Sequence, residues 1–503
     1  MKRIIAILFF LCLCGLTAYA EPDDRIIEAV IDNFMLLTQV PRPSHHEEKI
    51  SSFFMEWGKK QGLKPVKDKV NNIMFNVPAT KGMENKPLGI LQGHMDMVVA
   101  VKDGKKFDPL NDPITVIRGA DGTLTADGTS LGGDDGIGDA IIMAIAQGKM
   151  AHGPLRMIIT VNEEDGMDGA FNLDKSWLEG ASFLINIDNE TSDEILVSTA
   201  AGDSVRGYKK IPYGKASFDA AMKLEISNLK GGHSGIEINK GRLNGIRALA
   251  AFMEQLEQDG TGFELASFEG GTAPNAIPAK ASAIIVVDKK DKEKIRISFS
   301  DYGKVLNKKY KGIEEGIKTS VTDIVELPKV VPADEKRNLI TMATKIIDGV
   351  YTWSADMKGL VESSSNLGIF KMNEEGLSFI TYVRSSNAIK EKEILESQIA
   401  LARTCNYKFD TVKMADAWKY DPDSRLMALA KKIYKEQNKE EAKVVAIHAG
   451  LECGTFKALS PEIDMISIGP DIKGAHSIDE TLDLKSVPKI WHWLEEIFAR
   501  IDG

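Results

Sequence analysis

Acidic residues follow directly on apolar, strand-like runs in this sequence, and that placement restricts the fold more than any other feature. Residues 155–161 read as a buried strand, and the chain continues at once with Asn162-Glu163-Glu164-Asp165-Gly166-Met167-Asp168-Gly169-Ala170. Two adjacent carboxylates at a strand end repel unless positive charge sits beside them. In open α/β sheets the crevice outside the carboxyl ends of the strands is where ligands bind. One glutamate of such a pair can ligate a metal while its neighbour handles a proton. A solvated acidic turn is the alternative for a pair standing alone.

The pair does not stand alone. A strand over 88–92 runs into Gly93-His94-Met95-Asp96. His94 and Asp96 are two apart, so in extended chain they point the same way. His94 can then bind a metal with Asp96 behind it as orienter or acid-base partner. Gly132-Gly133-Asp134-Asp135-Gly136 opens an apolar helix, and its glycines let the backbone approach a ligand. Either aspartate could also cap that helix. A strand over 182–187 delivers Asp188, and one over 465–468 leads into the loop that carries His476. These residues all follow strand-like runs or glycine turns, a pattern that suits an α/β sheet with a site on one edge.

The rest of the chain organises around this unit. Helical spacing covers 25–37. Ser44 with Glu47 three residues on predicts the N-cap of a helix over 48–61, with His45 and His46 as surface or packing residues. From about residue 204 longer alternating strands appear, separated by helices over 242–257, 336–350 and 389–404. A helix over 424–436 returns to the first pattern. A chain of 503 residues exceeds what one core usually serves. We therefore expect a catalytic domain built from two segments, 21–203 and 421–503. Between them lies an inserted α+β lid at 204–420, itself two similar halves meeting near 317–330.

Lys2-Arg3, an apolar run to Leu16 and Ala18-Tyr19-Ala20 predict a signal peptide over 1–20 and an exported, periplasmic protein. Leu13 before Cys14 disfavours a lipoprotein, and no later run is long enough to span a membrane. A net charge of −10 argues against nucleic-acid or anionic-membrane partners. Beyond the leader only Cys405 and Cys453 remain, too few for a disulfide framework, and their pairing stays open.

Two histidines and three carboxylates, His94, Asp134, Glu164, Asp188 and His476, suit zinc, cobalt or manganese better than copper or an iron–sulfur cluster. If Asp134 bridges, each of two ions has one histidine, one terminal carboxylate and a shared oxygen, with Glu163 as general base. The motifs Gly93-His94-Met95-Asp96, Gly133-Asp134-Asp135-Gly136-Ile137-Gly138, Glu163-Glu164-Asp165-Gly166-Met167-Asp168-Gly169-Ala170, Gly231-Gly232-His233-Ser234-Gly235 and His448-Ala449-Gly450-Leu451-Glu452-Cys453-Gly454 resemble those of aminoacyl-histidine (Xaa-His) dipeptidases, co-catalytic zinc exopeptidases.

The resemblance implies a two-domain α/β exopeptidase with two divalent ions, zinc first, and that ligand set. It implies Glu163 as base, Asp96 behind His94, and His233, Asn275 and Arg384 as substrate contacts from the lid. His448 and Glu452 would read the substrate or support the metal shell. Asp135 and Asn162 depart from the usual pattern, Asn being commoner at the first and Asp at the second. The expected partner is a dipeptide, with a homodimer as one possible assembly. An N-acyl amino acid deacylase or carboxypeptidase using the same centre, and an inactive metal-dependent peptide binder, are the other readings.

Overall fold

The apolar runs that precede the acidic residues do become neighbouring strands. In the computed structural model, which describes residues 22–373 and 376–502, Leu155–Thr160, Gly89–His94, Phe183–Asn186 and Asp464–Ser467 lie side by side and run parallel. They form the middle of an eight-stranded mixed sheet. Val66–Lys67 and Ile73–Val77 add antiparallel strands on one flank; Glu194–Thr199 and Lys443–Ile447 complete the other. Strands buried on both faces need continuous apolar sequence, which explains why these runs do not alternate. Helices Pro22–Thr38, Gly133–Ala146 and Val487–Arg500 belong to this unit, and one core joins Phe34, Ile90, Ile141, Ile158 and Trp493. Because the four central strands are parallel, their carboxyl ends share one edge.

The chain leaves this sheet at Ala200. Glu194–Thr199 belongs to the first sheet and Ala201–Lys209 to a second, nine-stranded antiparallel one. The chain returns after Lys408–Ala415, and Thr199 and Trp418 exchange both backbone hydrogen bonds, at 2.9 and 3.1 Å. The two crossings are thus laced together. Helices Gly245–Gln258, Lys292–Lys309, Ala333–Lys345 and Ala388–Thr404 pack on the second sheet over a separate core that includes Leu224, Phe252, Phe268 and Phe370.

Lys318–Ile324 is an edge strand of this second sheet, grouped with Ala220–Ser227, Ala281–Val287 and Phe263–Gly270, while Val361–Asn373, Gly376–Ser385, Ala201–Lys209 and Lys408–Ala415 make up its other end. Two expectations change. The helix expected over 336–350 stops at Lys345, and Gly349–Trp353 is a strand. Gly349 takes φ +93°, outside the helical region, and the β-branched and aromatic residues after it pair with Val361–Asn373 instead. Ser44 does not cap its helix. Glu47 occupies the cap position, and Ser44 Oγ donates to Asp96 Oδ2 at 2.8 Å. Cys405 and Cys453 are both buried and free. Among the described residues no helix is long and apolar enough to cross a membrane.

Candidate active site

His94 is the last residue of its strand, and Asp96, Glu163, Glu164 and Asp188 follow within a few residues of the parallel strand ends. Asp134 enters from the side, at the start of helix Gly133–Ala146, with φ −79° and ψ 114° that turn it out of the helical path. His476 comes from a loop beyond Asp464–Ser467, at φ +64°. Strand order, rather than sequence proximity, brings these residues together.

Asp134 is the hub. Its Oδ1 lies 3.1 Å from His94 Nε2 and its Oδ2 lies 3.0 Å from His476 Nε2. His94 Nε2 also meets Asp188 Oδ1 at 3.3 Å, and His476 Nε2 meets Glu164 Oε2 at 2.8 Å. Two imidazoles therefore flank one carboxylate, and each has a second carboxylate of its own. His94, Asp134 and Glu164 offer atoms within 4.8 Å of one another, a group that could hold a metal ion. Burial works against the Asp134 carboxylate, but His476 and His94 outweigh it and hold it well below the usual carboxylate range. Hydrogen bonds to Asp134 and Glu164 push His476 up to about 11. Burial raises Glu163 and Asp188 well above the ordinary carboxyl value. So much buried negative charge calls for cations, and the imidazole and carboxylate donors are those divalent ions prefer. Among the described residues buried Glu164 Oε1 has no hydrogen-bond partner, which fits a donor set built for an ion.

Asp96 is fully buried and holds more than the ring behind which it was expected. Its Oδ1 lies 3.4 Å from His94 Nδ1. It also accepts from the backbone N–H of Glu163 at 3.0 Å and of Glu164 at 3.3 Å. One carboxylate thereby orients a histidine and the turn that carries both glutamates. Gly93 leaves room for the buried Asp135 carboxylate, since a Cβ there would stand 2.4 Å from Asp135 Oδ2 and force it to shift.

Glu452 does not face a substrate. It is fully buried, and its Oε2 accepts from Gln92 Nε2 and Thr160 Oγ, each at 2.6 Å. Burial lifts it to about 7. Of its two expected roles, this burial disfavours a substrate contact and leaves support of the shell beneath the strand ends. His448 is buried as well and shares a 2.7 Å hydrogen bond between its Nε2 and Ser364 Oγ of the second sheet. Burial, then the nearby Arg384, pull it down to about 3, so its imidazole is neutral.

Three expected lid residues lie in or beside the second sheet. Gly232–His233 pairs antiparallel with Ala276–Ile277 as a small two-stranded sheet, and the exposed Asn275 stands next to it, its carbonyl accepting from Ser234 N at 2.8 Å. His233 Nδ1 accepts weakly from the backbone N–H of Gly235 and Ile236, at 3.3 and 3.4 Å. That leaves the proton on Nε2, which faces Arg384 Nη2 at 3.5 Å. Arg384 is buried, stacks over Tyr382 at 4.4 Å, and forms no ion pair among the described residues.

Sequence reasoning missed Arg42 and Glu480. Arg42 Nη1 donates to the carbonyls of Met95 and Asp96, at 3.1 and 2.9 Å, while Glu480 accepts from the Asp134 turn. Their partners are backbone groups, which leave no signature in a sequence.

Known proteins resemble this chain over nearly its whole length. The cytosol non-specific dipeptidase of Escherichia coli is 34% identical over 481 residues, covering 93% of this chain and 97% of its own. The aminoacylhistidine dipeptidase of Vibrio alginolyticus superposes with a TM-score of 0.85 at 30% identity, over 94% of this chain and 97% of its own. A tripeptidase of Staphylococcus aureus shares the fold, with a TM-score of 0.54 at 15% identity over 94% and 97% of the two chains. The first likeness overturns the expected export to the periplasm, because the relative matched end to end is a cytosol enzyme. The leader read over 1–20 lies outside the described residues. Residues 90–500 match peptidase family M20/M25/M40, and on that span, with the identity above, this chain belongs to that family.

Proposed function

We propose that the chain is a metallo-dipeptidase that cleaves free dipeptides, Xaa-His among them, with two divalent ions held by His94, Asp134, Glu164, Asp188 and His476. The observation that carries this is the shared Asp134, whose two oxygens face one histidine each at 3.1 and 3.0 Å. A carboxylate serving two imidazoles, each with its own further carboxylate, is the pattern of a bridging ligand. The donors suit zinc first, and also cobalt or manganese. When bound, such ions supply Lewis acidity and make water acidic enough to react at neutral pH. The names of the dipeptidases of Escherichia coli and Vibrio alginolyticus support the substrate class.

Glu163 takes the proton of the attacking water and returns it to the leaving amine. Asp96 positions it by holding the turn and His94 together. His233 Nε2–H and Arg384 Nη2 are donors facing each other at 3.5 Å. An anionic oxygen placed beside them satisfies both, and a guanidinium fork suits a carboxylate. Arg384 therefore takes the C-terminal carboxylate and His233 donates to the carbonyl oxygen of the scissile bond. Asn275 adds a contact from the edge of the two-stranded pair. Residues 204–420 act as a lid over 21–203 and 421–503, so that closure completes the site and excludes water.

The test is a panel of free dipeptides, their C-terminal amides and N-acetyl amino acids, assayed on zinc- and manganese-loaded protein. Free dipeptides should be turned over well and the other two classes poorly. Preference for N-acetyl amino acids would instead indicate a deacylase, and no turnover of any class a binding protein.

A further inference from the structure

Three segments meet at the proposed centre, around residues 94–96, 131–134 and 474–480, and their register must be held by something other than the ions. Glu480 is buried, 2% exposed. Its Oε2 accepts from the backbone N–H of Leu131 at 2.7 Å and of Gly132 at 3.0 Å. Its Oε1 accepts from Gly133 N at 2.7 Å and from Asp134 N at 3.3 Å. Four consecutive N–H groups thus fill the acceptor sites of one carboxylate. Gly132, at φ +69°, turns them to one side. On the other side of the same turn Arg42 Nη2 donates to the Gly132 carbonyl, while its Nη1 holds the carbonyls of Met95 and Asp96. Arg42 therefore ties the His94 segment to the turn. Glu480 ties that turn to the loop that carries His476, four residues before it.

We propose that Glu480 is a positioning residue of the metal centre, locking the Asp134 turn and the His476 loop into one unit and so setting the spacing of its two halves. This rests on the ligand set proposed above. A carboxylate that only capped a helix entrance would stabilise the fold without regard to metal. Glu480 does more, because its last acceptor bond goes to the N–H of Asp134 itself and its own backbone belongs to the His476 loop. Carboxylates that support metal ligands in this way are typically worth about 10–100-fold in metal affinity or activity.

Glu480→Gln keeps the shape but exchanges one acceptor oxygen for a donor that confronts two N–H groups. Three quantities are read: zinc retained per chain after dialysis, the rise in Tm when zinc is added to stripped protein, and kcat with KM on a free dipeptide. The variant should lose zinc, show a smaller zinc-induced rise in Tm, and lose kcat by about 10–100-fold with little change in KM. Excess zinc should restore part of the rate. Wild-type protein that fails to hold two ions would refute the ligand set rather than Glu480. Wild-type zinc content and an undiminished zinc-induced rise in the variant would overturn the proposal, however much the stripped protein is destabilised. If Glu480→Gln does not fold, Glu480→Asp, which keeps the charge but is one methylene short, is read the same way. Failure of both to fold would also overturn it, since the residue would then serve the fold alone.

Discussion

Glu163 and Glu164 are neighbours in sequence with different surroundings: Glu164 meets His476 at 2.8 Å, whereas Glu163 pairs with no histidine among the described residues. That difference is why one is assigned as ligand and the other as base. Glu163→Gln should keep its metal content and lose about 10²–10⁴-fold in kcat; metal analysis and turnover on one preparation check this, and near wild-type turnover would remove the assignment. Arg384→Ala should weaken kcat/KM for a free dipeptide by about 10–100-fold, the loss of about 1.5–3 kcal/mol expected for hydrogen bonds to a charged group, and leave its C-terminal amide almost unaffected. Equal losses on both substrates would exclude a carboxylate clamp. At this scale the sequence was readable where imidazole and carboxylate residues follow strand ends and glycine turns. His94, Asp134, Glu164, Asp188 and His476 are residue types that can hold an ion, and the strand ends bring them together. Glu480 and Arg42 were invisible because they bind N–H and C=O groups that every residue possesses. The choice between the two roles open to Glu452 was not legible, because its partners Gln92 and Thr160 lie hundreds of residues away.

Among the elements, strands were legible because burial on both faces demands unbroken apolar runs, while boundaries depended on competition that sequence hides. Ser44 shows this: its pattern fits an N-cap, yet Asp96 takes its hydroxyl. Asn244 shows the reverse, a cap that works harder than its type requires. Its Oδ1 accepts from Ile246 N and Arg247 N at the start of Gly245–Gln258. Its Nδ2 donates to Asp348 Oδ1 and to the Leu367 carbonyl, both at 3.0 Å, so one side chain fixes a helix against the second sheet. Asn244→Ala should cost about 2 kcal/mol, the upper end for caps, because buried partners are stranded with it. Urea unfolding measures this, and a cost near zero would show that the cap is redundant.

For the whole molecule, the change from mixed to antiparallel sheet near residue 200 was visible as a change in apolar periodicity; the single second sheet was not, because strand pairing across it is non-local. At the crossing, burial of Glu391 of Ala388–Thr404, and then the neighbouring Asp203 carboxylate, lift it to about 8. A carboxyl raised in the folded state favours folding while protonated. Its contribution is present below the ordinary value of 4.5 and is lost as pH rises toward 8. Glu391→Gln should therefore raise Tm at about pH 9 and change it little at about pH 5; an equal shift at both would show that Glu391 titrates normally. The two-ion dipeptidase itself is tested most directly by stripping the metal with chelator, returning zinc in known equivalents, and following hydrolysis of a free dipeptide. The account predicts no turnover without metal and a rate that climbs until two equivalents per chain are bound. Full activity in stripped protein, or saturation at a single equivalent, would contradict it.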